Sequence, residues 1–215
     1  MPAIKPTARD PERTRARILL AATQEFARFG LGGARVDRIA ARAGANKRML
    51  YYYFEDKDNL FLAVLEASYA QIRAAERALE LEHLPPREAL ERLVHFTWSY
   101  FLEHPEFMTL LNSENLHKGR HVRRSRRVGK LHTPLVETLR GVLQRGERDG
   151  VFRKGVDPVQ LYISIAGEGY FYLSNRYTLS QIFGRDLMSK RALSTRARHN
   201  ADMIVHALSL NRMVK

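Results

Sequence analysis

The sequence predicts an all-α protein of about nine helices, a three-helix N-terminal unit followed by a larger helical bundle. Three observations predict it. Apolar residues recur at spacings of three and four through most of the chain, the period of one helical face. No segment alternates in polarity as a strand would, and there is no internal repeat or low-complexity tract. Glycine, proline and capping residues fall between the periodic segments.

Residues 1–11 hold three prolines and little apolar surface, and read as a mobile basic arm. From Glu12 the chain turns helical, with Ile18, Leu19, Ala22, Phe26 and Phe29 on one face. Gly30, Gly32 and Gly33 end that helix, where a left-handed residue is expected. Two short helices follow, 36–43 and 46–54, separated by Gly44 and Ala45. Asp56, Lys57 and Asp58 open the next, whose apolar face runs Leu60, Phe61, Val64 and Leu65 and continues past Tyr69 and Ile72 towards Leu79. Residues 83–86 break the pattern. Segment 87–104 is amphipathic through Leu90, Leu93, Val94, Thr97 and Phe101, and Pro105 suits the first turn of a helix carrying Phe107, Leu110, Leu111 and Glu114. Beyond Gly119 a long helix is expected to reach Arg148, with Val128, Leu131, Leu135, Leu139 and Val142 in register. Asp157 and Pro158 form a cap and first turn for a helix to about residue 176, and a last helix covers 189–208.

Composition narrows the function. Of 215 residues, 45% are hydrophobic and 27% charged, as in an ordinary globular protein. No apolar run reaches the roughly 18–20 residues of a membrane span, and the N-terminus lacks a secretory h-region. A cytoplasmic protein with no membrane partner is expected. The absence of cysteine removes disulfides, thiolate catalysis and cysteine-ligated metal. Thirty-six Lys and Arg against 23 Asp and Glu leave a net charge of +13, which favours a polyanionic partner through counterion release. Charge alone does not separate DNA from RNA or an anionic membrane.

Pattern does. In 36–57 (VDRIAARAGANKRMLYYYFEDK), Ala40 and Gly44 supply the small side chain and positive-φ turn that two short crossing helices need. Ile39, Ala43, Leu50 and Tyr53 form their small core, and Asn46 caps the second helix. That helix presents Lys47, Arg48, Met49, Tyr51 and Tyr52, a cationic and aromatic surface suited to a DNA major groove. Lys57 is placed to reach a phosphate, while Lys47 and Arg48 are long enough to read guanine edges. The run Tyr51–Phe54 also reads as core, but only about two of four successive helical positions point inward, so Leu50, Tyr53 and Phe54 are the better core candidates.

The window resembles the TetR family of transcriptional regulators, whose recognition helix commonly reads S-K-G-T-L-Y-H-Y-F before a lysine-opened helix. Here it stands as Asn46-Lys47-Arg48-Met49-Leu50-Tyr51-Tyr52-Tyr53-Phe54, with Lys57 matching that lysine. The resemblance covers residues 13 to about 65. Three departures stand out. Val36 cannot offer the hydroxyl that usually opens the first motif helix, leaving Arg35 as the charged contact. Arg48 replaces a small residue and adds reach into the groove. Met49 replaces a phosphate-binding hydroxyl. The resemblance implies a helix-turn-helix DNA-binding domain at 12–71 and a ligand-binding and dimerisation domain at 72–215. It further implies a homodimer on a near-palindromic double-stranded DNA operator, released by an unidentified small-molecule effector, with repression the usual outcome and no cofactor required.

For the effector, aromatic and polar side chains mix on apolar faces at Trp98, Phe101, Phe107, Glu114, Asn115, His117, Tyr162 and Tyr170. Glu114 lies on an apolar stripe where a bare carboxylate is costly, although it can also pair with an arginine of 120–127, and the aromatics also read as core. Gly167 and Gly169 inside a strong helix call for close approach of a ligand or partner helix. In TetR-like proteins this helix and the last one build the dimer bundle, for which Gly167, Gly169, Ala197, Ala201, Ile204, Val205 and Leu208 are candidates. Segment 117–130 carries seven Lys and Arg and no acid, with Arg120, Arg123, Arg124 and Arg127 on one face if helical. It reads as a solvated face, as partners for buried carboxylates or as an anchor for an anionic effector. His117 and His121 have a metal-compatible spacing but no third ligand, so no metal site is expected. No Gly-x-Ser-x-Gly, phosphate loop, His-Glu-x-x-His or Gly-x-Gly-x-x-Gly is present, which argues against an enzyme. An architectural DNA binder would explain the charge but not the large apolar C-terminal half.

Overall fold

The computed structural model describes residues 11–210, so the expected arm lies outside the described residues except for Pro11. Ten α-helices are described: α1 (Pro11–Gly33), α2 (Val36–Arg42), α3 (Lys47–Phe54), α4 (Lys57–Arg77), α5 (Pro86–Glu103), α6 (Pro105–Leu116), α7 (Val128–Arg148), α8 (Pro158–Ser174), α9 (Arg176–Phe183) and α10 (Lys190–Leu208). Two 3-10 turns, Leu81–His83 and Val122–Arg124, complete the regular structure. Among the described residues there is no strand, only an isolated bridge between Phe152 and Ser209. None of these helices is long and apolar enough to cross a membrane.

The helix not expected from the sequence is α9, a two-turn element after Asn175 closed by Gly184 at φ 59°. It is too short to show an amphipathic period. The long helix α7 also starts later than expected, at Val128. Lys118 and Gly119 take positive φ, and the amides of His121 and Val122 are bound by a side chain, so residues 117–127 form a turn rather than a helix.

The chain divides into two compact units, Met1–Ser68 with Thr109–Arg126, and Tyr69–Met108 with Arg127–Lys215. The first is built on Ile18, Ala22, Phe26, Ile39, Leu50, Leu60, Phe61 and Leu65, joined by Leu110 of α6. Phe26 and Phe61 meet edge to face at 5.0 Å. Gly30 bends α1 at φ 63°, and the amide of Leu31 beyond it donates to Ser113 Oγ at 3.2 Å.

The second unit packs α5, α7, α8 and α10 around Leu93, Val94, Leu139, Val142, Ile165, Ile204 and Leu208. The backbone packs closely at Gly146, whose carbonyl accepts from the amides of Val151 and Phe152. A Cβ on Gly146 would lie 2.0 Å from Cδ2 of the buried Phe152 ring. Gly146→Ala is therefore expected to destabilise this unit by about 1–3 kcal/mol through overpacking, seen as a lower midpoint in thermal unfolding.

Candidate functional site

The helix-turn-helix is assembled from α2, a tight turn and α3. Gly44 sits at φ 58°, and Ala45 donates back to the Ala40 carbonyl at 3.0 Å. Asn46 then caps α3, its side-chain oxygen accepting from the Met49 amide at 2.9 Å. Leu50 and Phe54 point inward and are buried, Tyr53 and Met49 are half-buried, and Tyr51 and Tyr52 lie outside. Tyr52 is 79% exposed, so the aromatic run is not simply core.

The outward face of α3 thus carries Lys47, Arg48, Tyr51 and Tyr52. Lys47 rests against Asp37 of α2 at 3.0 Å, and that hydrogen bond and charge hold its ammonium pKa above the ordinary 10.5. Arg48 makes no ion pair among the described residues. Arg35 is exposed at the start of α2 and Val36 half-buried beside it. Lys57 donates to the Ala34 carbonyl at 3.3 Å, which holds it near the same helix end.

The other expected positions divide between the two units. Glu114, Asn115 and His117 fall in the first, and local structure accounts for all three. The buried Glu114 carboxylate accepts from the amides of His121 (2.8 Å) and Val122 (2.9 Å), and its other oxygen meets His121 Nδ1 at 2.6 Å. Its protein partners are a histidine and two amides rather than an arginine. Asn115 Nδ2 donates to the Leu111 carbonyl, and His117 Nδ1 lies 2.7 Å from the Ser113 carbonyl. The arginines of this turn spread over separate partners, Arg120 to Asp58 at 3.0 Å and Arg124 to Asn59 at 2.9 Å. No cluster of three metal-ligating side chains occurs among the described residues.

In the second unit Trp98, Phe101 and Phe107 are buried, and Tyr162 and Tyr170 half-buried. Phe101 stacks on Phe107 at 6.1 Å, and Trp98 meets Tyr172 at 5.6 Å. The Tyr162 hydroxyl accepts from Arg73 Nη2 at 2.5 Å. Arg73 and Glu76 of α4 wall a cavity of about 180 Å³, together with Leu81, Leu131, Leu135 and Thr138. Burial pushes the Glu76 carboxyl up to about 7 against the opposing pull of Arg73 and Arg77.

The expected dimer positions divide between buried and exposed sites in the single chain. Ala201, Ile204, Val205 and Leu208 are buried in the unit's own core, because α10 turns its apolar stripe onto α5. Gly169 is taken up internally, a Cβ there lying 3.2 Å from the Phe101 ring. Ala197 is half-buried, while Gly167 is exposed with nothing near it. Apolar side chains of this unit that are left outside include Val159, Ile163 and Phe171, which share with Gly167 a four-residue row along α8, Tyr177, Ile182 and Phe183 of α9, and Met188, Met203 and Leu210.

Residues 18–64 match the family of bacterial regulatory proteins named after TetR, and residues 86–204 match the tetracycline repressor-like C-terminal domain. The chain belongs to the TetR family. This makes it a DNA-binding transcription regulator and not an enzyme. It is 43% identical over 185 residues to the transcriptional repressor NicS of Pseudomonas putida, covering 86% of this chain and 87% of that one. The repressor SCO4008 of Streptomyces coelicolor is 42% identical over 114 residues, covering 52% of this chain and 55% of its own length. Among solved structures, the regulator SCO4942 of Streptomyces coelicolor superposes with a TM-score of 0.67 at 25% identity, over 91% of this chain and 98% of that one.

In this TetR-family regulator, sequence reasoning missed the side chains that hold the motif from α1. Arg17 donates from Nε to the Ala43 carbonyl at 2.9 Å and from Nη2 to that of Gly44 at 2.8 Å, tying down the turn. Glu25, wholly buried, accepts from the Arg35 amide at 3.1 Å and Arg38 Nε at 2.6 Å, giving α2 the N-terminal acceptor that Val36 cannot. Burial alone would raise the Glu25 pKa, but the Arg38 and Arg35 hydrogen bonds and the charges of Arg38 and Arg42 bring it below 4.5. Arg17 has no spacing signal among its neighbouring arginines. Glu25 does: it lies seven residues after Ile18 on the apolar stripe, the same kind of signal that marked Glu114.

Glu25→Ala is expected to cost about 2–3 kcal/mol, because charge-assisted hydrogen bonds are lost in a buried position. Since folding lowers its pKa, Glu25 stabilises the protein above the ordinary 4.5, and the contribution fades as pH falls through the folded value. Thermal melts of both proteins between pH 3.5 and 7 check this, with the difference expected to shrink on the acid side.

Proposed function

We propose that this regulator is a homodimeric, ligand-responsive repressor that reads a palindromic operator in double-stranded DNA, within the cytoplasm. The observation that carries the reading is the outward face of α3, where two cations and two tyrosines stand exposed on a helix locked by its cap and its buried face. Lys47 and Arg48 are assigned to base edges and Tyr51 and Tyr52 to groove contacts, with Met49 at their margin. Arg35, Asn46 and Lys57 are assigned to the phosphates, and Val36 packs beside them.

Support for the dimer comes from the row Val159, Ile163, Gly167 and Phe171. An exposed apolar ridge with a glycine in it fits closely against its own copy across a two-fold axis. Two recognition helices then meet successive major grooves about 34–36 Å apart. Support for an effector comes from the second unit, which holds a cavity walled by a buried ion pair. The relatives' designation as repressors favours repression.

The test is selection of duplexes from a random pool by the purified protein. The expected product is a two-fold-symmetric site, preferred over random DNA by about 10³ or more at physiological salt. Equal affinity for selected and random duplexes would overturn the reading.

A further inference from the structure

We propose that Arg73 and Glu76 form the head-group site for a small single-ring organic carboxylate, which pairs with Arg73 while Glu76 takes up a proton from solvent. This rests on the effector-responsive reading above and names the class of ligand for it.

The pair is deeply buried, each side chain 2% exposed. Nε of Arg73 and Oε2 of Glu76 lie 2.9 Å apart but off line for a hydrogen bond. Nη2 is satisfied by Tyr162, whose ring lies 5.0 Å from the guanidinium carbon. Nη1 of Arg73 and Oε1 of Glu76 have no hydrogen-bond partner among the described residues. Buried polar atoms are normally satisfied, so free donors on a guanidinium beside a cavity point to a missing partner.

The size of that partner follows from the space. The cavity measures about 180 Å³, and an apolar cavity of about 150 Å³ accepts benzene. Leu81, Leu131, Pro134 and Leu135 line it against the two charges. One ring with a short polar head fits.

The sign of the ligand follows from what each group can do with a proton. Arginine keeps its charge under all physiological conditions, whereas a carboxylate can be neutralised. Arg77 and Glu82, also in the lining, carry opposite charges and add no net charge. The pair therefore carries net charge zero or plus one and never minus one. It can host an anion, with a proton on Glu76, but gains nothing from a cation. A carboxylate also matches the guanidinium fork.

The other titratable groups around Glu76 are shifted towards their neutral forms. Burial, with Glu106 and Glu76 adding, pushes the Tyr100 hydroxyl to about 12. Burial likewise raises Tyr162 and lowers His132 from the ordinary 6.5, in each case favouring the neutral form. Glu76, at about 7, is the group whose charge changes in this range. A bound carboxylate disfavours its charged form further, so the bound value is higher than the free one. Below about 7 the free protein already holds the proton and affinity is level. Above it, affinity falls up to tenfold per pH unit until the bound value is reached.

The experiment is calorimetric titration of the full-length protein with benzoate and 4-hydroxybenzoate at pH 6 and pH 8, in buffers of different ionisation heat. Benzamide and benzylamine serve as neutral and cationic controls. The expected result is one carboxylate per chain, bound roughly tenfold more weakly at pH 8 than at pH 6, with close to one proton taken up at pH 8 and at least tenfold weaker binding of both controls. Glu76→Gln mimics the protonated acid, so it should bind benzoate at pH 8 as the wild type does at pH 6. Arg73→Met should lose the site, and because that buried change can impair folding, the slope lost in Glu76→Gln is the deciding measurement.

Failure of both carboxylates to bind, preference for benzylamine, or an unchanged pH slope in Glu76→Gln each overturns the assignment. If neither carboxylate binds while the selected duplex is still bound, the head-group site is wrong and the regulator reading survives. If benzoate binds with the expected slope but never releases the duplex, the site stands and the effector reading fails.

Discussion

Replacing Lys47 and Arg48 together by alanine is expected to abolish recognition of the selected duplex while leaving the fold and the dimer intact. A good base contact contributes roughly 1–3 kcal/mol of discrimination. A dimer repeats each contact in two half-sites, so the combined loss should reach about 10²–10⁴-fold. Both side chains are exposed, and neither belongs to the core under α3, which is why thermal stability should barely change. The ion pair of Lys47 with Asp37 adds to the effect. In the proposed complex, lysine would screen that carboxylate from the phosphates, whereas in the variant Asp37 would face them uncompensated. A mobility-shift titration over several salt concentrations checks both parts, because fewer cations at the interface flatten the salt dependence. Binding within twofold of wild type would remove α3 as the recognition helix.

The second large effect is expected from Ile163→Arg with Phe171→Arg. In the single chain both positions are more than half exposed, so cationic side chains there cost little by themselves. Across a two-fold axis each arginine would approach its own copy in a desolvated contact, and like charges at such a distance repel strongly. The variant should run as a single chain at micromolar concentration in light scattering, with a thermal midpoint near that of an isolated wild-type chain. Its operator affinity should drop by about 10²–10⁴-fold, because two half-sites held by one dimer act at high effective concentration and a lone chain forfeits that gain. A wild-type mass at every concentration would show that α8 is not the dimer face.

The DNA-reading half of the protein was legible in the sequence because its interactions are local. Asn46 caps a helix three residues away, Gly44 turns a chain within one motif, and the inward positions of α3 follow from a single helical period. Such features are set by neighbours a few residues apart, and a linear reading captures them. The resemblance to the TetR family rests on the same stretch.

The rest depended on pairings across long stretches of chain. Glu114 was rightly singled out as a carboxylate on an apolar stripe, yet nothing in its spacing says that the stripe meets a turn offering two amides and His121. Likewise nothing announces that Thr109–Arg126 packs with the N-terminal helices. Arg73 and Glu76 follow Tyr69 and Ile72 by four residues and so share their face, but a charged pair at helical spacing reads as solvated until α8 supplies Tyr162 opposite it.

The same holds for the last helix. Ala201, Ile204, Val205 and Leu208 form one stripe in sequence, and that much is intrinsic. Whether the stripe meets the chain's own α5 or a second subunit depends on which surfaces remain after α5, α7 and α8 have packed. By itself, then, the sequence determined the helices other than the short α9, the motif and its outward cations, all products of short-range periodicity and capping. Only the tertiary structure decided which apolar and charged faces are consumed inside each unit and which are left outside, because burial is a property of the packed whole and not of any one segment.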